Sequence, residues 1–372
     1  MGTERAGNHE SRKDEHLALA AEQAREGAPR NDFDELAFVH HALDGGDADD
    51  VRLDVRLGEL RWPAPLYING MTGGTATTAR VNRQLAIAAR ETGLPVASGS
   101  MSIALDHPQT AHGFRVLREE NPDGFVMANL GAGRSPDDAL RAVELVDADA
   151  LQIHVNAVQE TVMPEGDRDF SGWARSIERI VAVVPVPVIV KEVGFGLSGR
   201  TQRTLTELGV RIADVSGRGG TDFVRIENDR RPLRDYASLV GFGQSAVQSL
   251  LDAPAESPLV LLASGGVRSP LDVAKALALG ARAVGVAGGF LTAATEGGAP
   301  ELVPLIERWL EQLRQLCALL GADSPEDLAR TDLLVRGRLR EDCELLGIDP
   351  AAYARRRDAR PRTIHEPSGR TR

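Results

Sequence analysis

The residues that could do chemistry are concentrated in a few short stretches of the chain. "LQIHVNAVQE" (151–160) places Gln152, His154, Asn156, Gln159 and Glu160 among apolar neighbours that belong in a core. "PVIVKEVG" (187–194) sets Lys191 behind a β-branched run, where an ammonium is desolvated unless an anion or an electron-rich ligand pairs with it. An ion pair with Glu192 is the alternative, weakened because adjacent strand residues point to opposite faces. "SGGVRSPLDVAKALALGARAVGVAGGF" pairs Gly265 and Gly266 with Gly288 and Gly289 around a helix start. Bare backbone N–H groups beside a helix dipole make an anion site; tight turns alone would also use glycine. Arg268 could add a charge-assisted bond, and Ser216 and Thr221 could complete a phosphate cup.

These groups need a scaffold, and the chain spells out a βα rhythm. Eight apolar runs, at 65–69, 94–99, 124–131, 150–156, 187–194, 210–217, 259–266 and 282–289, alternate with amphipathic segments of helical period. Ser135-Pro136-Asp137-Asp138 and Ser269-Pro270-Leu271-Asp272 carry helix-start chemistry, and Gly93, Gly209 and Gly280 stand where C′ glycines belong. Eight such units in about 230 residues predict an α/β protein built as a (β/α)8 TIM barrel. A doubly wound open sheet is the competing architecture, but "NGMTGGTATT" lacks its G-x-G-x-x-G fingerprint. The expected division is an N-terminal arm and lead-in segment over 1–60, the barrel over 61–320, and a C-terminal helical extension over 321–372. Residues 1–30 and 354–372, the latter with seven arginines, read as mobile arms.

Composition sets outer bounds. The 372 residues are 42% hydrophobic and carry a formal charge of -11, so neither nucleic acid nor an anionic membrane is an expected partner. Cys317 and Cys343 form neither a disulfide framework nor a zinc motif, which fits a reducing cytoplasm. Neither a signal peptide nor an uncharged apolar run of membrane length is read in the chain.

In a barrel the catalytic groups stand at the C-terminal strand ends. A phosphate at units seven and eight, with a lysine on strand five, suggests flavin mononucleotide across the barrel mouth, its N1/O2 edge facing Lys191. At that level of detail the chain resembles the type 2 isopentenyl diphosphate isomerase family. The resemblance runs through "SRKDEHL", "MTGG", "ALQIHVNAVQE", "VIVKEVGFGLS", "ADVSGRGGTDF", "ASGGVR" and "GGFL".

The resemblance implies a reduced FMN, reduced by NADPH or NADH, and a Mg²⁺ ion. The activity it implies is the 1,3-allylic proton shift between isopentenyl and dimethylallyl diphosphate. It places Met71, Thr72 and Gly73 beside the flavin ring, Ser100 and Asn129 on its hydrogen-bonding edge, and Lys191 at N1/O2. Ser216, Thr221, Gly265, Gly266, Val267, Arg268, Val286, Ala287 and Gly288 would hold the ribityl phosphate. Arg12 and Lys13, on composition alone two charges of a solvated tail, become the diphosphate clamp. Glu160 becomes the Mg²⁺ ligand. Gln159 orients the alkene and also contacts substrate, with His154 and Asn156 beside it as catalytic or substrate contacts; read without the resemblance, His154 is an interior histidine. The resemblance also makes Ser100, Met101 and Ser102 substrate contacts, but where many family members read Gly-Ser-Gln-Arg after the second strand, Met101 and Ser102 follow Gly99-Ser100 here and supply no charge to the diphosphate. A homo-oligomer, tetramer or octamer, is implied as well. The nearest rival, an FMN-dependent 2-hydroxy-acid oxidase or dehydrogenase, has a histidine base after strand six; Ser216-Gly217-Arg218-Gly219-Gly220 has none.

Overall fold

A computed structural model describes residues 30–357 together with positions 13, 15, 16, 18, 19, 22 and 23. Eight parallel strands close into a barrel: β4 (Leu66–Ile68), β5 (Val96–Ala97), β6 (Val126–Gly131), β7 (Ala150–Val155), β8 (Val188–Glu192), β9 (Ile212–Asp214), β10 (Val260–Ser264) and β11 (Ala283–Val286), with β11 returning to β4. Each lies within one of the eight apolar runs. The helix starts also match the sequence, since Ser135 forms a capping box with Asp138 and the Ser269 side chain accepts from Asp272 N–H.

Period two sorts every strand into two faces. Leu151, Ile153, Val188, Val190, Ala213, Leu261 and Val284 pack into the layer between strands and helices. Tyr67, Ala97, Met127, Ala150, Ile189, Ile212, Leu262 and Ala283 fill the lumen. Two residues further along the same strands, the lumenal parity passes to Asn69, Asn129, Gln152, Lys191, Asp214 and Ser264, all buried. The lumen is therefore apolar at its floor and polar at its mouth.

A β-hairpin, β2 (Val55–Leu57) with β3 (Leu60–Trp62), plugs the floor. Val55, Leu57 and Trp62 join the lumenal cluster, and the Trp62 ring packs against Tyr67 at 5.6 Å and Phe125 at 5.5 Å between centroids. Ahead of it, β1 (Leu36–Phe38) pairs antiparallel with β12 (Leu333–Val335), so the lead-in segment and the C-terminal extension form one small sheet. The beginning of the presumed C-terminal arm is fastened too: Arg356 donates to the carbonyls of Ala278 and Ala329, and Arg357 N–H donates to Asp332. Spare backbone carbonyls and an acid, rather than apolar surface, hold this tail, which is why its composition read as loose. Among the described residues no helix is long and apolar enough to cross a membrane.

Because the Trp62 ring fills the barrel floor at 1% exposure, Trp62→Ala should lower the unfolding free energy by about 3–5 kcal/mol. Urea titration should show an earlier midpoint with an unchanged slope.

Candidate active site

A cavity of about 440 Å³ opens at the polar end of the barrel, a size in the usual range of roughly 300–1,000 Å³ for small-molecule sites. Met71, Thr72 and Lys191 line one part of it, and Ser216, Thr221, Gly265, Gly266, Val267, Arg268, Ala287 and Gly288 line another. The wall also includes Asn69, Gly217, Gly219, Gly220, Gly289 and, from the N-terminal segment, Lys13, His16 and Gln23. Arg12 lies outside the described residues.

Lys191 is buried, and burial pushes its ammonium below the usual lysine range while the nearby Asp214 and Glu192 charges push it back up. Its Nζ donates to the Glu192 carbonyl oxygen at 2.8 Å, not to the Glu192 carboxylate. That carboxylate points the other way and accepts the N–H groups of Val193 and Phe195 within its own turn; burial raises its pKa to about 8. Asp214, beside Lys191 in register, accepts from Tyr67 Oη at 2.6 Å, Ser264 Oγ at 2.8 Å and Ser216 N at 3.0 Å. A buried anion with three donors thus sits beside a buried cation that has one backbone partner and an open face on the cavity.

The glycine loops are built for an anion. Gly265 and Gly266 follow β10 with φ of +92° and +77°, two consecutive left-handed residues that only glycine adopts without strain. They let the loop touch the one after β9, and a Cβ on Gly265 would collide with the Gly217 carbonyl. The N–H groups of Gly219, Gly220, Gly265, Gly266 and Val267 have no hydrogen-bond partner among the described residues. A helix begins at Gly288, adding its own unsatisfied first-turn donors. The Arg268 guanidinium, which could have bonded an anion directly, is held instead by Asp34 at 2.8 Å and 2.9 Å and by Asp272 at 3.0 Å. Val286 does not line the cavity: its parity directs it into the helical layer, and its carbonyl accepts from Asn69 N–H. The buried Asn69 Oδ1 has no partner among the described residues and is available to a ligand donor. The open lysine, the unpaired amides and this orphan acceptor match the chemistry of a phosphorylated flavin.

Gly73, Ser100, Met101, Ser102, Asn129, His154, Asn156, Gln159 and Glu160 also lie outside the cavity wall. Gly73 packs on the Phe114 ring, and Met101 is fully buried at the start of a short helix, Ser102–Asp106. Ser100 Oγ donates to Ser102 Oγ at 3.3 Å, which leaves that loop without a cation. Asn129 is committed to a lumenal chain: its Oδ1 meets His154 Nδ1 at 2.8 Å and its Nδ2 donates to Gln152 Oε1 at 3.0 Å. Gln152 Nε2 in turn faces the Met127 sulfur at 3.8 Å, and because sulfur only accepts, the chain runs one way and His154 carries its proton on Nδ1. Burial, with the charges of Lys191 and Lys13, lowers the His154 pKa to about 3, so the imidazole is neutral.

Gln159 and Glu160 stand on a short helix, Ala157–Val162. Six residues are too few to show a helical period in sequence. Asn156, buried at its start, donates from Nδ2 to Gln159 Oε1 at 3.2 Å and Glu160 Oε1 at 3.0 Å. Glu160 Oε2 accepts Asp167 N–H at 2.9 Å, and among the described residues no cation pairs with this carboxylate. Glu227, fully buried, was not picked out in the sequence because "FVRIEND" reads as an exposed polar helix. It accepts Gln159 Nε2 at 2.9 Å and Arg230 at 2.6 Å, and His16 Nε2 stands 3.1 Å from its Oε1. A connected set therefore runs from His16, on the cavity wall, through Glu227 and Gln159 to Asn156 and Glu160.

The FMN-dependent dehydrogenase profile matches residues 106–335. Isopentenyl-diphosphate delta-isomerase from Nocardia farcinica (strain IFM 10152) is 58% identical over 346 residues, 93% of this chain and 96% of that one. The enzyme of the same name from Staphylococcus haemolyticus (strain JCSC1435) is 45% identical, covering 91% and 97%. The chain belongs to the FMN-dependent isopentenyl-diphosphate delta-isomerase family. Among solved structures, mandelate oxidase with (S)-2-phenylpropionate superposes with a TM-score of 0.58 at 19% identity, covering 86% of this chain and 98% of that one. At that identity the likeness concerns the barrel alone. In this family member the FMN-dependent match spans six of the eight barrel strands, β6 to β11, while Met71, Thr72, His16 and Lys13 come from outside it.

Burial by itself pushes the Glu227 carboxyl up, but the bonds from His16, Gln159 and Arg230 outweigh it and hold the pKa at about 2 against an ordinary 4.5. A depressed carboxyl stabilises the fold above its unfolded pKa and loses that contribution as pH falls through the folded value. Unfolding stability should therefore decline between pH 4.5 and about 2, and Glu227→Gln should flatten that acid limb in urea titrations across the window.

Proposed function

We propose that the chain interconverts isopentenyl and dimethylallyl diphosphate, using FMN in its reduced form and Mg²⁺. What supports this reading is the bonding of the Gln159–Glu160 pair, through Asn156 and Glu227, to His16 on the wall of a cavity lined by Lys191 and unpaired glycine-loop amides. When bound, reduced FMN supplies the proton donor and acceptor of the 1,3-allylic shift.

The chain's own residues bind, orient and shield. Lys191 offers an ammonium to the electron-rich edge of the ring, with Asp214 balancing its charge. The unpaired amides after β9 and β10 receive the ribityl phosphate. Gln159, its amide nitrogen tied to the buried Glu227, is a poor acid and serves to hold the alkene in place. Glu160 has neutral donors on both oxygens and no competing cation among the described residues, so it is free to meet a hard ion. No group of three or more His, Cys, Asp or Glu residues suited to a metal occurs among the described residues. One carboxylate with waters and diphosphate oxygens is the ordinary arrangement for Mg²⁺. Lys13, on the cavity wall, takes the diphosphate together with Arg12, and His154 meets the substrate as a neutral imidazole. The reductant is NADPH or NADH, and the working protein is a cytoplasmic homo-oligomer. A hydroxy-acid oxidase would need a base after β9, where this chain presents Ser216, Gly217 and Arg218.

The anaerobic assay is direct: isopentenyl diphosphate should be converted by the chemically reduced flavoprotein with Mg²⁺. The oxidised protein, or the reduced protein with chelator, should do nothing measurable. Turnover by the oxidised, reductant-free protein would remove the flavin from the mechanism. Glu160→Gln should cut Mg²⁺-dependent turnover by about a hundredfold or more while the protein stays yellow. Loss of colour in that variant would make Glu160 a fold residue.

A further inference from the structure

Asn31 lies ahead of β1, outside the barrel, and is not among the residues assigned a role above. Its Nδ2 donates to the Gly266 carbonyl at 2.8 Å and to the Gly219 carbonyl at 3.3 Å, bridging the loops after β10 and β9. A trans peptide points its C=O and its following N–H in opposite directions. Drawing these two carbonyls toward Asn31 therefore turns the N–H groups of Gly220 and Val267 away from it. Both residues line the cavity, and both N–H groups lack partners among the described residues.

The two loops are in backbone contact, so that a Cβ on Gly220 would stand 2.8 Å from Gly266 N and one on Gly266 would stand 3.0 Å from the Gly219 carbonyl carbon. Asn31 reaches both carbonyls from outside the barrel, and the structure fixes this donor in four ways. Asn31 Oδ1 accepts Phe33 N–H at 3.0 Å, and its own N–H donates to Asp34 at 2.9 Å, closing a capping box. Asp34 accepts both arms of Arg268, next to Val267. Lys275 donates to the Phe33 carbonyl at 2.7 Å.

We propose that Asn31 is a positioning residue of the flavin site, its amide aiming two peptide N–H groups at the ribityl phosphate. The proposal rests on the reading that FMN occupies this cavity with its phosphate at the glycine loops. It gives the lead-in segment a part in cofactor recognition that neither β1 nor the barrel supplies.

FMN and riboflavin, which lacks the phosphate, separate an aimed phosphate site from general support. Dissociation constants for both should be measured on the full chain and on Asn31→Ser and Asn31→Ala, by quenching of flavin fluorescence. Serine keeps an acceptor for Phe33 N–H but is too short to bridge the loops. In both variants FMN should weaken about tenfold or more, while riboflavin stays within about twofold of the parent protein. Unchanged FMN affinity overturns the proposal, and so does a parallel fall in riboflavin, which would mark Asn31 as a support of the fold. A parent protein that binds neither flavin sinks the reading of the cavity itself, an outcome distinct from either of those.

Discussion

An ammonium near the top of a closed barrel has few places to put its charge. Lys191 is buried with one backbone carbonyl as its hydrogen-bond partner, and the carboxylate beside it in register belongs to Asp214. Much of the lumen follows from that pair. Asp214 is tolerated because Tyr67, Ser264 and Ser216 each bring a donor from a different strand or turn. Those bonds tie β4, β9 and β10 together and set Ser216, at φ +36°, where the chain turns toward the glycine loops. The carboxylate makes a charged lysine sustainable, and the other side of the lysine is open to the cavity.

A second, lumenal chain of polar groups runs from the Met127 sulfur through Gln152 and Asn129 to His154. It has a direction, because sulfur can only accept, and the direction reaches the imidazole as a fixed tautomer. A third network, around Glu227, reaches the cavity wall at His16. The three have different electrical characters: the first balances a cation with an anion, the second is neutral throughout, and the third stabilises a carboxylate.

Strand content, strand count and the parity of each strand were legible in the chain, because burial on both sides of a parallel strand leaves an unbroken apolar run with polar residues only at the mouth. The helix carrying Gln159 and Glu160 was not, being six residues long. Glu227 was invisible for a different reason: its neighbours Arg225, Asn228 and Asp229 are those of a solvated helix, and only the packing of that helix over the mouth buries it. Arg268 looked like an anion ligand until Asp34, 234 positions away in the chain, was brought beside it.

Alternation of apolar and polar residues, glycines in consecutive pairs and a lysine after β-branched residues are local facts, and they determined the barrel and the tight turns of its glycine loops. The tertiary structure decided which charges meet. Asp34 with Arg268, Glu227 with Gln159, and Asn31 with two carbonyls at Gly219 and Gly266 join segments far apart in sequence. A charge or an amide can choose among many partners of equal chemistry, and only the folded positions of the loops make that choice.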